Sequence, residues 1–451
     1  MTSYDFVVVG AGTGGCLAAK TAAVLGFKVC LIDRKPEKEI GDKVCGEAIG
    51  KGHFDEVGLK IPSGNELARV VDGADIYSPD LKTVFRMKGS DLTGFVVNRH
   101  EFGQRLLKEA LDTGVDLLDH TLVANTIVEK DYVKGVRVKD LKTAAESIIY
   151  GKITVDASGF AAILRKQLPS TWMMESSIKN EDVGLGYMEI RDLKEQFEEP
   201  SYIRIYISEK ISPGGYYWIF PKDGTKVNVG IGIQMAENFP EPRNQLYKYV
   251  LNTDAFKDSK LIRKGTWLLP TRRPISSMVA NGIIIIGDAA CQTNPVHGGG
   301  MGPSMVGGKL AAEVGSKAIE RSDLSRNALW PFNLEFIKYY GAKSAALDVF
   351  RIFLQKCGDD EFSYGMENQL ITEDDVLKAS LGEELHLNIT DKALRVFRGL
   401  RKLHFLRQLN LTTNKMKEIK ALYYNYPNPE GLEEWNFKVQ RILSEMKAMN
   451  F

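Results

Sequence analysis

The stretch that most constrains this chain runs from Phe6 to Asp33. Phe6-Val-Val-Val9 is a continuous apolar run, the pattern of a parallel strand buried on both faces. It leads into Gly10-Ala-Gly12-Thr-Gly14-Gly15, then a helical stretch from Gly15 to Leu25, then a second strand from Lys28 to Ile32 that ends at Asp33. A βαβ unit with glycines in its first turn and an acid roughly 20 residues on fits the dinucleotide fingerprint. Glycines let the backbone approach a pyrophosphate, whose charge sits at the positive helix N-terminus. Asp33 would accept the ribose hydroxyls of an adenosine. Glycines alone would signal only a tight turn. Strand, helix and acid together favour a nucleotide, without separating FAD from NAD.

Composition then narrows the class. The chain has 451 residues, with Lys+Arg 59 against Asp+Glu 58 and 44% hydrophobic residues. Two or three domains are expected, with a core large enough to need no disulfide staples. Near-zero net charge argues against a dedicated nucleic-acid binder. The five cysteines (Cys16, Cys30, Cys45, Cys291, Cys357) are scattered and odd in number, so a reduced intracellular compartment is expected. Met1 is followed almost directly by a strand pattern from Tyr4, so no signal peptide is expected. No apolar stretch approaches the ~18 residues of a membrane span. Cytoplasmic location follows as the expectation, with room for a peripheral contact at the inner membrane surface.

The first third alternates strand and helix signals. Short strands are expected from Gly73 to Lys88, a helix from Asn98 to Thr113, and a core strand at Ile153 to Val155. Between Ile178 and Met235 the period changes to two. Ile203, Ile205 and Ile207 alternate with Tyr202, Arg204, Tyr206 and Ser208, and Val227, Val229, Ile231 and Ile233 alternate with polar or glycine positions. These read as antiparallel strands of a second sheet. Beyond Gly308 the chain is mostly helical, with Pro331, Gly358 and Tyr426-Pro-Asn-Pro as breaks. The expected fold is α/β: a Rossmann-like FAD-binding domain (1–70, 90–170 and 265–330), an antiparallel-sheet substrate domain (71–89 and 171–264) and a helical C-terminal region (331–451).

A second glycine-rich element separates the two nucleotides. Gly282-Ile-Ile-Ile-Ile-Gly287-Asp288-Ala-Ala is a buried strand ending in Gly-Asp, followed by Pro295-Val-His297-Gly-Gly-Gly300-Met301-Gly302 and a helix. An aspartate there can hold the ribityl chain of a flavin. The next helix N-terminus can hold negative charge at the flavin N1/C2 edge, which matters because reduced flavin is readily an anion. FAD is therefore the expected cofactor.

With these elements in place the sequence resembles the FAD-dependent geranylgeranyl reductases, within the para-hydroxybenzoate hydroxylase superfamily, over roughly residues 1–305. It leans toward the archaeal digeranylgeranylglycerophospholipid reductases. Asp156-Ala-Ser-Gly159 matches the superfamily's mid-chain Asp-Gly region, and Asn98-Arg99 its flavin-contacting arginine. Lys43-Val-Cys45-Gly46-Glu47-Ala48 looks like the segment that passes the isoalloxazine ring, and Val123 sits where the family contacts the adenine side. The resemblance implies a cofactor set of Gly10, Gly12, Gly14, Gly15, Asp33, Arg34, Cys45, Gly46, Ala48, Arg99, Val123, Asp288, Gly300 and Met301. Pro213-Gly-Gly-Tyr216-Tyr-Trp218-Ile-Phe220-Pro221 fits the reductases' Pro-x-x-Tyr-x-Trp-x-Phe-Pro pattern. On a strand Tyr216, Trp218 and Phe220 share one side, an aromatic wall for an isoprenoid chain where plain core packing is the alternative.

The implied activity is saturation of isoprenoid double bonds in geranylgeranyl chains of archaeal-type phospholipids. It would proceed by protonation and hydride transfer from reduced FAD, with Tyr216 and Trp218 steadying positive charge. The proton source is open among Cys45, Tyr216, His297 and a bound water. The electron donor is open between NAD(P)H and a ferredoxin-like protein. A monooxygenase or halogenase shares the flavin frame, and an isoprenoid carrier like the GDI proteins is the non-enzymatic alternative. Cys16 and Cys30 read as small core residues. His53, His100, His120, His386 and His404 show no metal-ligand spacing, so no metal site is expected. Nine basic residues (392, 395, 398, 401, 402, 407, 415, 417 and 420) meet one acid, Glu418, between Lys392 and Lys420. That stretch reads as a core-packed helix with a solvated basic face, or as a surface for anionic lipid headgroups.

Overall fold

The computed structural model describes residues 3–89, 92–172, 174–375 and 402–449. Its central sheet runs, in spatial order, Val279–Ala280, Ile283–Ile285, Glu146–Asp156, Ser3–Val9, Val29–Ile32 and Asp116–Leu118. The last five pair in parallel, and Thr121–Glu129 and Tyr132–Asp140 branch off as an antiparallel pair on Glu146–Asp156. Phe6, Val7, Val8 and Val9 are all buried, as a strand covered on both faces requires. The helices Thr13–Val24 and Met301–Glu320 cross this sheet in close contact: a Cβ on Gly308 would lie 2.1 Å from the Gly14 carbonyl oxygen.

A second sheet of seven strands runs Lys260–Pro270, Val183–Asp192, Lys226–Gln234, Tyr216–Pro221, Tyr202–Tyr206, Gly73–Tyr77 and Val84–Lys88. The alternation read from the sequence holds. Tyr216, Trp218 and Phe220 face one apolar cluster with Met188 and Ile190, and Tyr217 and Ile219 face another with Leu246 and Val250. One pairing departs from the antiparallel expectation: Tyr202–Tyr206 lies parallel to Gly73–Tyr77. More than a hundred residues separate the two strands, so no tight turn dictates their direction. A small third sheet, Ala48–Gly50, Gly94–Val97 and Leu67–Val71, lies between.

The cuts expected after residues 70, 264 and 330 fall inside the Leu67–Val71 strand, the Lys260–Pro270 strand and the Arg326–Phe336 helix. Periodicity marks the middle of an element better than its end; we propose the cuts after residues 71, 270 and 324, the last just ahead of the Ser325 cap of that helix. Pro331 does not break its helix, because the buried Leu329, Trp330, Phe332 and Phe336 outweigh one lost backbone bond. Downstream, Leu403–Tyr424 buries Phe405, Ile419 and Tyr423 and packs along Ala342–Leu354, followed by Leu432–Ala448. Lys392, Arg395, Arg398 and Arg401 of the basic stretch lie outside the described residues, as do Val396, Phe397 and Leu400. Among the described residues no helix is long and apolar enough to cross a membrane.

Candidate active site

The glycine turn leaves the Ser3–Val9 strand with Gly10 at φ 104°, and Gly12 caps the Thr13–Val24 helix. Its glycines are held for different reasons. An added Cβ would lie 1.8 Å from the Gly10 oxygen at Gly15, 2.6 Å from the Ser304 oxygen at Gly14 and 2.4 Å from the Ala157 oxygen at Gly10. At Gly12 it would meet nothing within 4 Å, so this backbone faces open space. Asp33 ties the acid to the turn, accepting the Ala11 N–H at 2.8 Å and the Lys35 N–H at 2.9 Å. Arg34 is exposed beside it, and Val123 is buried in the Thr121–Glu129 strand, whose first N–H donates to the Asp33 carbonyl at 2.9 Å.

The second glycine-rich element closes the other side. Thr13 Oγ1 and Ser304 Oγ are 2.8 Å apart, so the N-terminal turns of the two long helices meet. Gly300 caps the helix that starts at Met301. The Asp288 carboxylate receives the Lys43 ammonium at 2.9 Å and the Thr293 hydroxyl at 2.9 Å. Burial alone would raise its pKa, but Lys43 and these hydrogen bonds hold it below the usual carboxylate value. Arg99, first residue of the Arg99–Leu111 helix, is 3% exposed, and its Nε and Nη1 have no partner. Burial pushes its pKa down. A buried guanidinium with free N–H groups is costly unless a ligand engages it. Open space at Gly12, an orphaned arginine and two converging helix N-termini fit FAD, which Gly12, Asp33, Arg99, Asp288, Gly300 and Met301 would hold.

Cys45, Gly46 and Ala48 run beneath the aromatic strand. A Cβ on Gly46 would lie 3.1 Å from the Phe220 ring and 3.8 Å from Trp218 Nε1. The Trp218 indole lies flat on Gly230, where a Cβ would come within 2.2 Å, and its ring centroid is 5.9 Å from that of Tyr216. Trp218 and Phe220 are 4% and 6% exposed, packed under the loop; Tyr216 keeps more open surface. The Tyr216 hydroxyl donates to the His297 carbonyl at 2.7 Å. His297 keeps exposed surface, while desolvation by the surrounding protein and the nearby Lys343 push its pKa down to about 4. Burial raises the pKa of the Cys45 thiol, whose sulfur accepts the Glu47 N–H at 3.2 Å, and of the Tyr216 phenol. Tyr216 is thus joined to Trp218 by ring contact and to the His297 backbone by its hydroxyl, with the Cys45 loop packed over Trp218 and Phe220.

Three polar residues escaped the sequence reading: Lys43 on Asp288, and the buried Lys222 and Asn228 behind Cys45. Asn228 was readable as a polar position in an alternating strand; nothing in the sequence pairs it with Cys45. Cys16, Cys30 and Cys291 are buried, with thiols pushed up to about 12, 12 and 11, which agrees with packing roles. Among the described residues no cluster of His, Cys, Asp or Glu could hold a metal. A polar cleft of about 490 Å³ is lined by Glu47, Asn98, Arg99, Ile190, Asp223 and Arg263 among others.

Residues 5–183 match the model of FAD dependent oxidoreductases and residues 182–267 that of the geranylgeranyl reductase catalytic domain. The chain is 42% identical, over 98% of both chains, to the digeranylgeranylglycerophospholipid reductase of Sulfolobus acidocaldarius. It is 33% identical to digeranylgeranylglycerophospholipid reductase 2 of Methanococcoides burtonii, over 72% of this chain and 78% of that one. The crystal structure of a geranylgeranyl bacteriochlorophyll reductase-like protein from Thermoplasma acidophilum superposes with a TM-score of 0.75 at 26% identity, covering 91% of this chain and all of the other. The chondrochloren halogenase CndH shares the fold at a TM-score of 0.64 and 17% identity, over 94% of this chain and 98% of that one.

Proposed function

The chain belongs to the digeranylgeranylglycerophospholipid reductase family, and on that premise we propose that it saturates geranylgeranyl double bonds beside Cys45, Tyr216 and His297. It is an FAD-dependent oxidoreductase acting on carbon–carbon double bonds, with the geranylgeranyl chains of archaeal-type phospholipids as substrate. The observation that carries the site assignment is the junction itself. The Tyr216–Pro221 strand, within the region matched by the reductase catalytic domain, is hydrogen-bonded through Tyr216 to the loop that leads into the flavin-side helix.

An isoprenoid double bond has no electron-withdrawing group, so hydride attack first would build an unstabilised carbanion. Protonation at the less substituted carbon instead gives a tertiary cation. Bound reduced FAD supplies the hydride. Tyr216, backed by the Trp218 ring at a centroid distance of 5.9 Å, would lie beside the developing positive charge. Cys45 and Tyr216 both keep their protons at neutral pH, and His297 is neutral there. The Tyr216 proton is engaged by the His297 carbonyl, whereas the Cys45 sulfur accepts a hydrogen bond and leaves its own proton free. Cys45 is therefore the proton donor in this reading, reprotonated from solvent after each turnover. Cys45→Ser is expected to slow lipid saturation by about 10²–10⁴-fold, the range of a lost general acid. Wild-type saturation in both Cys45→Ser and Trp218→Ala would refute the assignments.

Electrons reach the flavin from NAD(P)H or a ferredoxin-like protein. Contact with the membrane is assigned to the Leu403–Tyr424 helix. Its outward face carries the exposed Leu403, Leu411 and Tyr424 with Arg407 and Lys417, opposite the buried Phe405, Thr412 and Ile419. Lys402 and Lys415 are taken up by Glu361, Glu418 and Glu445.

A further inference from the structure

Behind Cys45 lies a set of buried polar groups that the proposed chemistry does not use. Glu47 is 1% exposed and held at φ 68°, a left-handed backbone that is strained for a non-glycine residue. Such strain persists only where the surroundings enforce it. Here they do so from the other sheet. Lys222, 2% exposed and just past the aromatic strand, places its ammonium 2.6 Å from Glu47 Oε2 and 3.1 Å from the Val97 carbonyl oxygen. Asn228, fully buried on the neighbouring strand, donates from Nδ2 to Glu47 Oε2 at 3.1 Å and to the Cys45 carbonyl at 2.9 Å. Its Oδ1 accepts the Trp218 indole N–H at 3.0 Å. An indole can only donate and a carbonyl can only accept, so these partners fix which way the Asn228 amide points.

We infer that Glu47, Lys222 and Asn228 form a brace that sets the Cys45 turn against Trp218, so that thiol and indole address the two carbons of one substrate double bond. One amide touches both the backbone of the proton donor and the ring that steadies positive charge, and one ion pair pulls the strained turn onto the same strand. Gly46 completes the fit, since a side chain there would press on Phe220 at 3.1 Å. The three are positioning residues, and the inference rests on the reductase reading of Cys45 and Trp218.

Asn228→Asp tests it. The shape is kept, but a carboxylate then faces the Glu47 carboxylate and the Cys45 carbonyl. Three readouts are taken: FAD affinity from flavin absorbance, kcat and KM for lipid saturation by mass spectrometry, and the pH dependence of Cys45 alkylation with Trp218 emission beside it. The brace calls for FAD affinity near wild type, kcat lowered about 10- to 100-fold with KM little changed, and displaced alkylation and emission profiles. Wild-type kcat with an unmoved Cys45 profile would overturn it. Should Asn228→Asp not fold, Glu47→Gln with Lys222→Met removes the charges together and is expected to fold with the same kcat loss; wild-type kcat there overturns the inference equally. Alkylation and emission are read without lipid turnover, so a wild-type protein that saturates no lipid defeats the functional reading while leaving these two measurements to judge the brace.

Discussion

Two glycines three positions apart make opposite demands on the first turn. Gly15 is there because its Cβ would collide with the Gly10 carbonyl, while Gly12 has free space around the missing side chain. Gly15→Ala is therefore expected to destabilise the fold itself by about 1–3 kcal/mol, as overpacking does. Gly12→Ala should leave the apoprotein's denaturant midpoint unchanged and weaken FAD binding, both read by titration. Equal loss of stability in the two variants would contradict this division. From the sequence the two glycines were indistinguishable members of one fingerprint. Asp33 and Asp288 were legible because their place at a strand end marks them, and Arg99 was marked only by the family resemblance. Asn228 and Lys222 were not, since their meaning comes from a contact across some 180 residues with Cys45 and Glu47.

At the scale of elements, buried ion pairs join the C-terminal helices to the sheets. Arg351 on the Ala342–Leu354 helix reaches Asp182 at 2.9 Å, and Asp348 on the same helix takes Arg351 at 2.7 Å and Arg273 at 3.2 Å; beside them Arg272 meets Glu175 at 2.8 Å. Arg351→Met strands the Asp182 carboxylate and leaves Asp348 only Arg273, and should cost about 3–5 kcal/mol, measured by chemical unfolding. Burial opposes ionisation of Glu175 and Asp348, but the surrounding arginines more than offset it, so both titrate below their usual values, Glu175 at about 2. Their folded pKa values lie under the unfolded ones. The stability they contribute is thus present above the unfolded values, near ~4, and is lost as pH falls toward about 2. A melting temperature that stayed level across that window would contradict the pairing. Strand and helix identities were largely legible in the sequence, because periods of two and 3.6 are local. The parallel pairing of Tyr202–Tyr206 with Gly73–Tyr77 and the helix running through Pro331 were not, because distant packing decides both.

Over the whole molecule, the flavin frame and the aromatic strand come from different sheets, and the Lys43–Ala48 loop is the piece shared between them. The outward face of Leu403–Tyr424 adds a cationic and partly apolar surface. Replacing Arg407 and Lys417 by glutamate should reduce cosedimentation with anionic vesicles, each lost cation being worth about 1 kcal/mol near such a surface. Unchanged sedimentation would remove that helix from any membrane role. The near-balance of 59 basic and 58 acidic residues had concealed this local asymmetry.

The most direct measurement takes the purified flavoprotein, reduces it anaerobically with dithionite, and supplies geranylgeranyl phospholipid and, separately, geranylgeranyl diphosphate. Mass spectrometry of the lipid should show one added pair of hydrogens per double bond reduced, without oxygen and with reoxidation of the flavin absorbance. No hydrogen gain on either substrate, or a product that forms only with O₂ and carries its oxygen, would contradict a double-bond reductase at this site.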